Sequence, residues 1–295
     1  MRYLSKCLVC GFGSFETIYE ARFDGSAEQA TEYFLNQRRK VTHGRIVRCQ
    51  QCGFIFTNPQ FEIEEYQRIY LKATELMVQD NGLAAAENVR FARLVKLIEK
   101  YNRCPNRLLD LGCGNGKFLS MVSARERIGY EIGGSLNSPS LEYRIVTGDF
   151  LSDIGQSDFT QASFDVVTAW DVFEHLPELG RYVGAIAKLL ASKGYLFVTL
   201  PNADSLIARL SGPRWNMILL EHLWYFSPDT LNRFLTGQGF SVIEHGHVPF
   251  DATMTHLANR FAQTYGVGFS SLVKLIGSQV ISLPVGLMYA VFQRQ

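Results

Sequence analysis

Short apolar runs alternate with amphipathic stretches over most of the chain from residue 108 onwards. Apolar runs of about four to eight residues bounded by glycine, proline or acidic residues are typical of strands, and apolar residues three to four positions apart are typical of helices. Such an alternation predicts a doubly wound α/β sheet, in which ligands bind at the carboxyl ends of the strands. The predicted strands are 108–111, 127–132, 143–150, 164–170, 194–202, 240–247 and 287–294.

Helical spacing also precedes the first predicted strand, at 62–70 and 84–101. We expect these two helices to lead into the sheet and to cover it. Tyr66 and Tyr70 lie on the first of them, where they either pack in the core or lie over a ligand. Further helices are predicted at 117–124, from Pro177 to about Leu190, and from Pro228, which follows a capping Ser227.

A glycine-rich corner joins the first predicted strand to the segment after it. Asp110 ends the apolar run, and Gly112, Gly114 and Gly116 follow at alternate positions. Glycines permit positive backbone angles and let a ligand approach the main chain, so the corner predicts a nucleotide-type binding loop. A dinucleotide fingerprint requires a glycine where this chain has Lys117. The spacing therefore disfavours NAD.

An acidic residue ends the second predicted strand. Glu131 lies 19 residues after Gly112 in the sequence. In nucleotide-binding folds, an acidic residue at about this separation from the glycine motif accepts hydrogen bonds from both hydroxyls of a ribose. The third predicted strand ends in Gly148-Asp149-Phe150, and the fourth runs into the polar stretch from Trp170 to His175. The ends of four successive strands thus bring polar residues to one edge of the sheet.

The ordered set of these motifs resembles class I S-adenosylmethionine-dependent methyltransferases, which have a Rossmann-like, seven-stranded sheet. The resemblance implies that the glycine corner cradles the amino-acid end of the cofactor, that Asp149 and Phe150 meet the adenine, and that Trp170 and Asp171 lie where the methyl group emerges. The cofactor-binding residues that it predicts are Asp110, Gly112, Cys113, Gly114, Gly116, Glu131, Asp149, Phe150, Trp170 and Asp171.

Two Glu-His pairs follow the predicted fourth and fifth strands, at Glu174-His175 and Glu221-His222. The second resembles the Glu-His-aromatic motif in the active site of sugar C-methyltransferases. A methyl acceptor with a hydroxyl group must lose a proton, so His175, His222 and Glu221 are the candidate catalytic residues. Each histidine either acts as the base or has a structural role in its loop.

Two CxxC pairs lie near the N-terminus, at Cys7 and Cys10 and at Cys49 and Cys52. Paired knuckles of this kind favour a closed, structural four-thiolate Zn²⁺ site, with free or disulfide-bonded cysteines as the alternative. The segment resembles the zinc-ribbon-like leader of bacterial enzymes that methylate sugars and surface polysaccharides. The predicted domains are a zinc-ribbon-like module at 1–60, a helical lead-in at 61–105 and the methyltransferase domain at 106–295. This last domain contains a predicted insertion at 248–284, with helical stretches at 257–265 and 272–276.

Composition restricts the location and partners of the protein. The 29 basic and 28 acidic residues nearly cancel, so no net field attracts nucleic acid. The first residues lack the apolar core of a secretory signal, which predicts a cytoplasmic location. An uncharged stretch from Leu275 to Phe292 either contacts a membrane surface, together with the insertion, or ends in a buried strand. The interruptions by Pro284 and Gly286 favour the strand.

These observations predict an S-adenosylmethionine-dependent methyltransferase that acts on a small molecule. The zinc-type leader favours a sugar, nucleotide-sugar or polysaccharide precursor, methylated in line on oxygen or carbon with a histidine base. The apolar C-terminal stretch motivates a quinone or lipid acceptor at a membrane surface as the alternative. A non-catalytic cofactor- and zinc-binding scaffold is the alternative from another class.

Overall fold

The computed structural model describes residues 1–34, 42–76, 84–133, 142–155, 159–255, 258, 277 and 279–295. In chain order the strands are β1 (Phe15–Tyr19), β2 (Ile46–Cys49), β3 (Ile55–Thr57), β4 (Arg107–Leu111), β5 (Glu126–Glu131), β6 (Arg144–Thr147), β7 (Phe164–Trp170), β8 (Leu190–Pro201), β9 (Trp224–Tyr225), β10 (Phe240–Thr253) and β11 (Val280–Arg294). The helices are α1 (Ala27–Ala30), α2 (Ile63–Leu76), α3 (Ala84–Glu99), α4 (Phe150–Asp153), α5 (Leu179–Leu189), α6 (Leu206–Ser211) and α7 (Pro228–Thr236).

A seven-stranded sheet in the order β10-β11-β8-β7-β4-β5-β6 forms the centre of the molecule. The five strands from β8 to β6 are parallel, and β11 is antiparallel to both of its neighbours. Their apolar runs are buried on both faces, as Leu109, Val167 and Val198 illustrate with no exposed surface, because helices cover parallel sheets on both sides. The predicted doubly wound, seven-stranded α/β fold is confirmed.

A second, four-stranded sheet in the order β1-β2-β3-β9 holds the N-terminal segment. Its first three strands come from the cysteine-rich leader, whereas β9 comes from a segment far from the leader in the sequence and pairs with β3 through Ile55–Tyr225 and Phe56–Trp224. The side chains of Phe54, Phe56 and Trp224 stack at this junction, with ring centroids 5.7–6.2 Å apart. The leader and the larger sheet therefore share one core, while the domain bounds at residues 60 and 105 stay predictions.

The last two strands of the large sheet run further than the sequence predicts. We expected strands at 240–247 and 287–294, but β10 and β11 stay paired up to Thr253 and Val280. The Pro284-to-Gly286 segment, which the sequence interpretation took as an interruption, lies with Pro249 where the register shifts between the Val248–Leu287 and Phe250–Leu283 pairs. Because a bulge accommodates proline and glycine without ending the ladder, the strands continue past it.

The remainder of the predicted insertion is only partly described. The helices expected at 257–265 and 272–276 fall, apart from residue 258, outside the described residues. From Val280 onwards the uncharged stretch forms β11, between β8 and β10, which confirms the buried strand. None of the helices in the described part of the chain has the length and apolar character needed to cross a membrane.

Two predicted helices differ from the structure. The segment 117–124 forms successive turns, with bonds such as Ser120 N to Gly116 O, rather than a helix. The carbonyls of Leu119 and Val122 instead accept Arg127 Nη1, at 3.0 and 3.2 Å. The helix expected from Pro177 starts at Leu179, after a 3₁₀ turn at Phe173–His175. It passes directly into β8 at Leu190, so this strand begins four residues earlier than predicted.

Candidate functional site

A cavity of about 630 Å³ opens at the carboxyl ends of β4, β5, β6 and β7. Helix α2 forms its opposite wall through residues such as Tyr66, Gln67 and Tyr70, and α5 contributes Tyr182. This is the edge of a doubly wound sheet at which ligands bind. The predicted site residues that line it are Gly112, Glu131, Asp149, Phe150, Trp170, Asp171, His175 and Glu221.

The glycine corner has the backbone that the sequence predicts. Gly112, Gly114 and Gly116 have φ angles of 71°, 52° and 77°, a region that other residues rarely adopt. The amide of Gly112 donates to the carbonyl of Tyr130 at 2.8 Å and fixes the turn against β5. A Cβ added to Gly112 would lie 2.5 Å from Cγ2 of Val172 on the cavity wall, whereas one added to Gly114 would meet no atom within 4 Å. The turn therefore leaves open space beside its backbone.

Glu131 is held against the same turn. One carboxylate oxygen accepts the amide of Gly114 at 2.8 Å, and the other accepts the amide of Ile132 at 3.0 Å. Burial raises the pKa of Glu131 above its usual value, and these two amides oppose the rise by stabilising the charged form. The carboxylate is thus fixed in place at the cavity edge, with lone pairs left to accept hydrogen bonds from a diol.

Asp149 and Phe150 form the next part of the wall. The Asp149 side chain caps α4, because its oxygens accept the amide of Leu151 at 3.2 Å and the hydroxyl of Ser152 at 2.7 Å. The buried Phe150 ring stacks on Tyr182, with centroids 5.9 Å apart and planes 9° from parallel. The pair thus presents a carboxylate beside a slab of aromatic surface.

Asp171 takes a left-handed backbone conformation, φ 55°, directly after Trp170. Its amide and one carboxylate oxygen bond to Thr199 Oγ1 at 3.0 and 2.7 Å, and the other oxygen accepts Arg90 Nη2 at 2.5 Å. These bonds hold a strained residue in place, as is common at functional sites. Sequence reasoning missed Arg90 and Thr199, because their pairing with Asp171 spans 81 and 28 positions.

The two predicted histidines lie together, with ring centroids 4.7 Å apart and nearly perpendicular. His175 lines the cavity, and His222 lies behind it, where its Nδ1–H donates to the Met217 carbonyl at 2.7 Å. Desolvation lowers the pKa of His175 to about 4, and desolvation together with the neighbouring His175 ring lowers the pKa of His222. Both rings are therefore neutral near pH 7. Glu221 is buried and reaches the cavity beside them.

Four of the predicted cofactor residues do not line the cavity. Asp110 is buried under the turn, where its carboxylate accepts the Thr168 hydroxyl at 2.6 Å. Cys113 is buried against Gly129, a Cβ on which would lie 2.4 Å from the Cys113 sulfur. Gly114 and Gly116 give the turn its positive φ angles but do not line the cavity. Their assignment as cofactor residues stays a prediction.

We expect Asp110→Asn to remove a pH-dependent destabilisation. Burial raises the Asp110 pKa from 3.8 to about 7, so between these values the folded state holds a proton that the unfolded state has lost, and stability falls as the pH rises. Between about pH 4 and pH 7 the free energy of unfolding of the asparagine variant should therefore rise relative to that of the wild type, by up to about 1.4 kcal/mol per pH unit. Urea unfolding of both proteins from pH 4.5 to pH 8 measures this difference, and a constant difference would contradict the assignment.

The four cysteine sulfurs converge at the edge of the small sheet. The Cys7–Cys52 and Cys10–Cys49 sulfurs are each 3.6 Å apart, and all four lie within 4.8 Å of one another. Both knuckles use the same turn: Gly11 and Gly53, at φ 72° and 74°, donate to the carbonyls of Cys7 and Cys49 at 2.9 Å. Tetrahedral zinc with Zn–S bonds of about 2.3 Å needs sulfurs about 3.8 Å apart, so the cluster fits a zinc ion.

Comparison with known proteins identifies several relatives. A family model described as a methyltransferase domain matches residues 84–245. The ubiquinone biosynthesis O-methyltransferases of Bartonella tribocorum and Brucella ovis are 25% and 26% identical over 173 and 165 residues, or 50% and 48% of this chain. The matches cover 65% and 63% of these two proteins, which is less than two thirds of their length.

Solved structures share the fold at low sequence identity. Burkholderia thailandensis 1,6-didemethyltoxoflavin-N1-methyltransferase, solved with 1,6-didemethyltoxoflavin and S-adenosylhomocysteine, is 14% identical with a TM-score of 0.52, over 84% of this chain and 98% of that chain. A chain from the complex of the Haloferax volcanii Trm112 methyltransferase activator and the putative methyltransferase has a TM-score of 0.52 at 13% identity, over 79% and 97%. These likenesses support the fold.

Proposed function

Since this chain belongs to the methyltransferase domain family, and is an S-adenosylmethionine-dependent enzyme, we propose that it methylates a hydroxyl oxygen of a small, neutral, ring-shaped acceptor such as a phenol or quinol. The observation that carries the proposal is the single cavity in which Gly112, Glu131 and Asp149 line one part and His175 and Glu221 line another. Donor and acceptor would thus meet in one cavity, whose walls align them.

The donor part of the cavity fits S-adenosylmethionine. Gly112 brings the glycine turn to the cavity wall without a side chain, the fixed Glu131 carboxylate can accept from ribose hydroxyls, and Asp149 with Phe150 offers an acceptor and an apolar face for adenine. When bound there, the cofactor supplies a methyl group on a positively charged sulfur. The chain's own residues then have to orient the acceptor oxygen in line and remove its proton.

The charges around the cavity favour a neutral acceptor. Among the described residues that line it, six are carboxylates, namely Glu64, Glu131, Asp149, Asp171, Glu178 and Glu221. The positively charged lining residue, Arg181, pairs with Glu178 at 2.6 Å. A phosphate or carboxylate on the acceptor would meet like charges in a partly desolvated site, which costs several kcal/mol. The aromatic side chains of Tyr66, Tyr70 and Trp170 suit a planar ring instead.

The relatives support this choice over the nucleotide sugar. The two curated relatives are named for O-methylation in ubiquinone biosynthesis, which agrees with the quinone alternative. An unphosphorylated sugar is the second candidate, favoured by the resemblance of the cysteine-rich leader to polysaccharide-modifying enzymes. Such a sugar is neutral, as the charges around the cavity require, whereas a nucleotide diphosphate sugar carries negative charge.

The cysteine cluster would hold structural zinc. Four free thiols at tetrahedral spacing fill all the positions of the ion, so this metal would stabilise the fold without taking part in methyl transfer. A reduced cluster also fits a cytoplasmic location, since thiols persist in reducing compartments.

The acceptor class is tested with a matched panel and isotopically labelled S-adenosylmethionine. We expect an ortho-diphenol or quinol to gain one methyl group, with kcat/KM at least about 100-fold above its carboxylated or phosphorylated analogue. A free sugar and its nucleotide diphosphate form complete the panel, with mass spectrometry of the products as the readout. Preference for the anionic member of each pair would contradict the neutral-acceptor proposal, and transfer to no member would favour the scaffold alternative.

The proton-removing residues are tested separately from cofactor binding. His175→Ala, His222→Ala and Glu221→Gln should each lower kcat by about 10² to 10⁴, the usual contribution of proton transfer. Because none of the three belongs to the donor part of the cavity, the dissociation constant for S-adenosylhomocysteine should change little. The control is His247→Gln, an exposed histidine on β10. Full activity in all three variants would remove these residues from the mechanism.

A further inference from the structure

Three side chains beside the cavity, of which Glu174 and His222 are buried and His175 is partly buried, have their possible ligand atoms close together. Glu174, His175 and His222 each offer one such atom, and the three lie within 4.8 Å of one another. Glu174 is 1% exposed and His222 5% exposed. His222 is far from the other two residues in the sequence. A hydrogen bond from the Leu223 amide to the Glu174 carbonyl, at 2.7 Å, joins the loop of His222 to the loop of Glu174 and His175. The fold thus assembles the cluster.

Two of these residues have buried polar atoms without a partner among the described residues. They are Oε2 of Glu174 and Nδ1 of His175. Leaving such atoms unpaired in a desolvated site costs about 1 to 3 kcal/mol each, and more for a charged group. Both atoms can donate a lone pair to a cation, which would satisfy them together.

The tautomer of His222 fits the same role. Its Nδ1–H donates to the Met217 carbonyl at 2.7 Å, which leaves the lone pair on Nε2. A histidine that binds a metal usually donates its other N–H to a carbonyl or carboxylate, which fixes the ring and its tautomer. Met217 therefore supplies the outer-shell contact that a metal-binding histidine needs.

We propose that Glu174, His175 and His222 hold a divalent transition-metal ion with an open coordination position towards the cavity, into which His175 faces. Two imidazoles and one carboxylate form the ligand set of catalytic zinc sites that keep one position open. Imidazole ligands favour Zn²⁺, Cu²⁺, Fe²⁺ or Ni²⁺ over Mg²⁺. The site is separate from the cysteine cluster, which has no free position.

The role of this ion rests on the proposed function. An acceptor hydroxyl bound at the open position would become more acidic. Its proton would pass to the Glu221 carboxylate, the oxygen–methyl bond would form as the carbon–sulfur bond breaks, and S-adenosylhomocysteine would leave as a neutral sulfide. The two histidines would then act through the ion, and Glu221 would be the residue that accepts the proton.

Metal content tests the site without reference to activity. After chelation and reconstitution with Zn²⁺, we expect two ions per wild-type chain, and one in Glu174→Gln, His175→Gln and His222→Gln. Titration should show that each substitution lowers the affinity for the second ion at least about 100-fold. His247→Gln is the matched control and should keep both ions. Binding of S-adenosylhomocysteine verifies that the variants are folded.

Cobalt substitution of the wild-type chain gives a second readout that needs no variant. Co²⁺ in the cysteine cluster has intense thiolate charge-transfer bands, whereas Co²⁺ bound by imidazole and carboxylate has none. Two spectrally distinct ions support the proposal; a single thiolate-bound ion, or a second ion unaffected by all three substitutions, overturns it. If the second ion binds as expected and the acceptor panel gives no product, the proposed function fails and the metal site stands.

Discussion

Removal of the zinc ion that we propose for the cysteine cluster is expected to cause a large loss of methyl transfer, although none of the four cysteines lines the cavity. The physical link is the small sheet. Strand β3 follows the second knuckle and pairs with β9, which lies directly after Glu221 and His222. Within this junction the Thr57 hydroxyl donates to the His222 carbonyl at 3.0 Å, and the Thr57 amide donates to the Leu223 carbonyl at 2.9 Å. The cysteine module therefore holds the backbone of the candidate catalytic segment.

We expect Cys49→Ser or exhaustive chelation to lower kcat more than about 100-fold, since small displacements of catalytic groups have effects of this size. Loss of the ion also removes binding energy that the folded module depends on. Thr57→Val is the milder variant, because it keeps the cluster and the fold but lacks the hydroxyl, and we expect a smaller loss of kcat. Cys104→Ser, an exposed cysteine outside the cluster, is the control.

Activity measured beside zinc content tests this coupling. A zinc-free, folded Cys49→Ser protein with wild-type kcat would show that the module is independent of the site. Equal losses in Cys49→Ser and Cys104→Ser would indicate a general effect of thiol substitution instead.

Gly112→Ala is the second change with a large expected effect. The new Cβ would lie 2.5 Å from Cγ2 of Val172, so the cavity wall has to move, and the alanine would have to adopt φ 71°. Overpacking costs about 1 to 3 kcal/mol and the left-handed conformation about 1 to 2 kcal/mol. We expect the variant to lose about 2 to 5 kcal/mol of stability, or to rearrange the turn and lose its affinity for S-adenosylhomocysteine.

A matched glycine separates the two causes. Gly239 has φ 87°, but a Cβ there meets no atom within 4 Å, so Gly239→Ala isolates the conformational cost from the clash. Urea unfolding and S-adenosylhomocysteine titration measure both variants. Suppose that Gly112→Ala is as stable as Gly239→Ala and keeps wild-type affinity for S-adenosylhomocysteine. The close contact between residue 112 and Val172 would then not be the reason for a glycine at this position.

The sequence predicted those parts of the molecule that depend on local pattern. The seven strands and the glycine corner follow from apolar runs, their bounding residues and backbone freedom, all of which act over a few positions. The same local reasoning failed for the 117–124 segment. Its apolar residues Phe118, Leu119 and Val122 are buried, but the backbone that carries them forms a series of turns. Burial of an apolar stripe does not by itself require a helix.

Long-range contacts account for the rest. The pairing of β9 with the leader, the bonds from Arg90 and Thr199 to Asp171, and the meeting of His175 with His222 all join residues far apart in the chain. Asp110 illustrates the limit for the site: its position beside the glycine turn suggested ligand contact, but only the structure places its carboxylate on Thr168. Whether a side chain at the end of a strand points into the cavity or into the core depends on the residues of adjacent strands, which a local sequence pattern does not reveal.

The position of β11 between β8 and β10 has a consequence for biosynthesis. While the ribosome is still adding residues 280–294, β8 has one open edge and the long β10 lacks the neighbour that joins it to the sheet. Exposed strand edges of this kind invite pairing with other chains. The nascent protein therefore completes its central sheet only at the very end of translation of this region, by inserting a strand into a gap rather than by adding one at the rim.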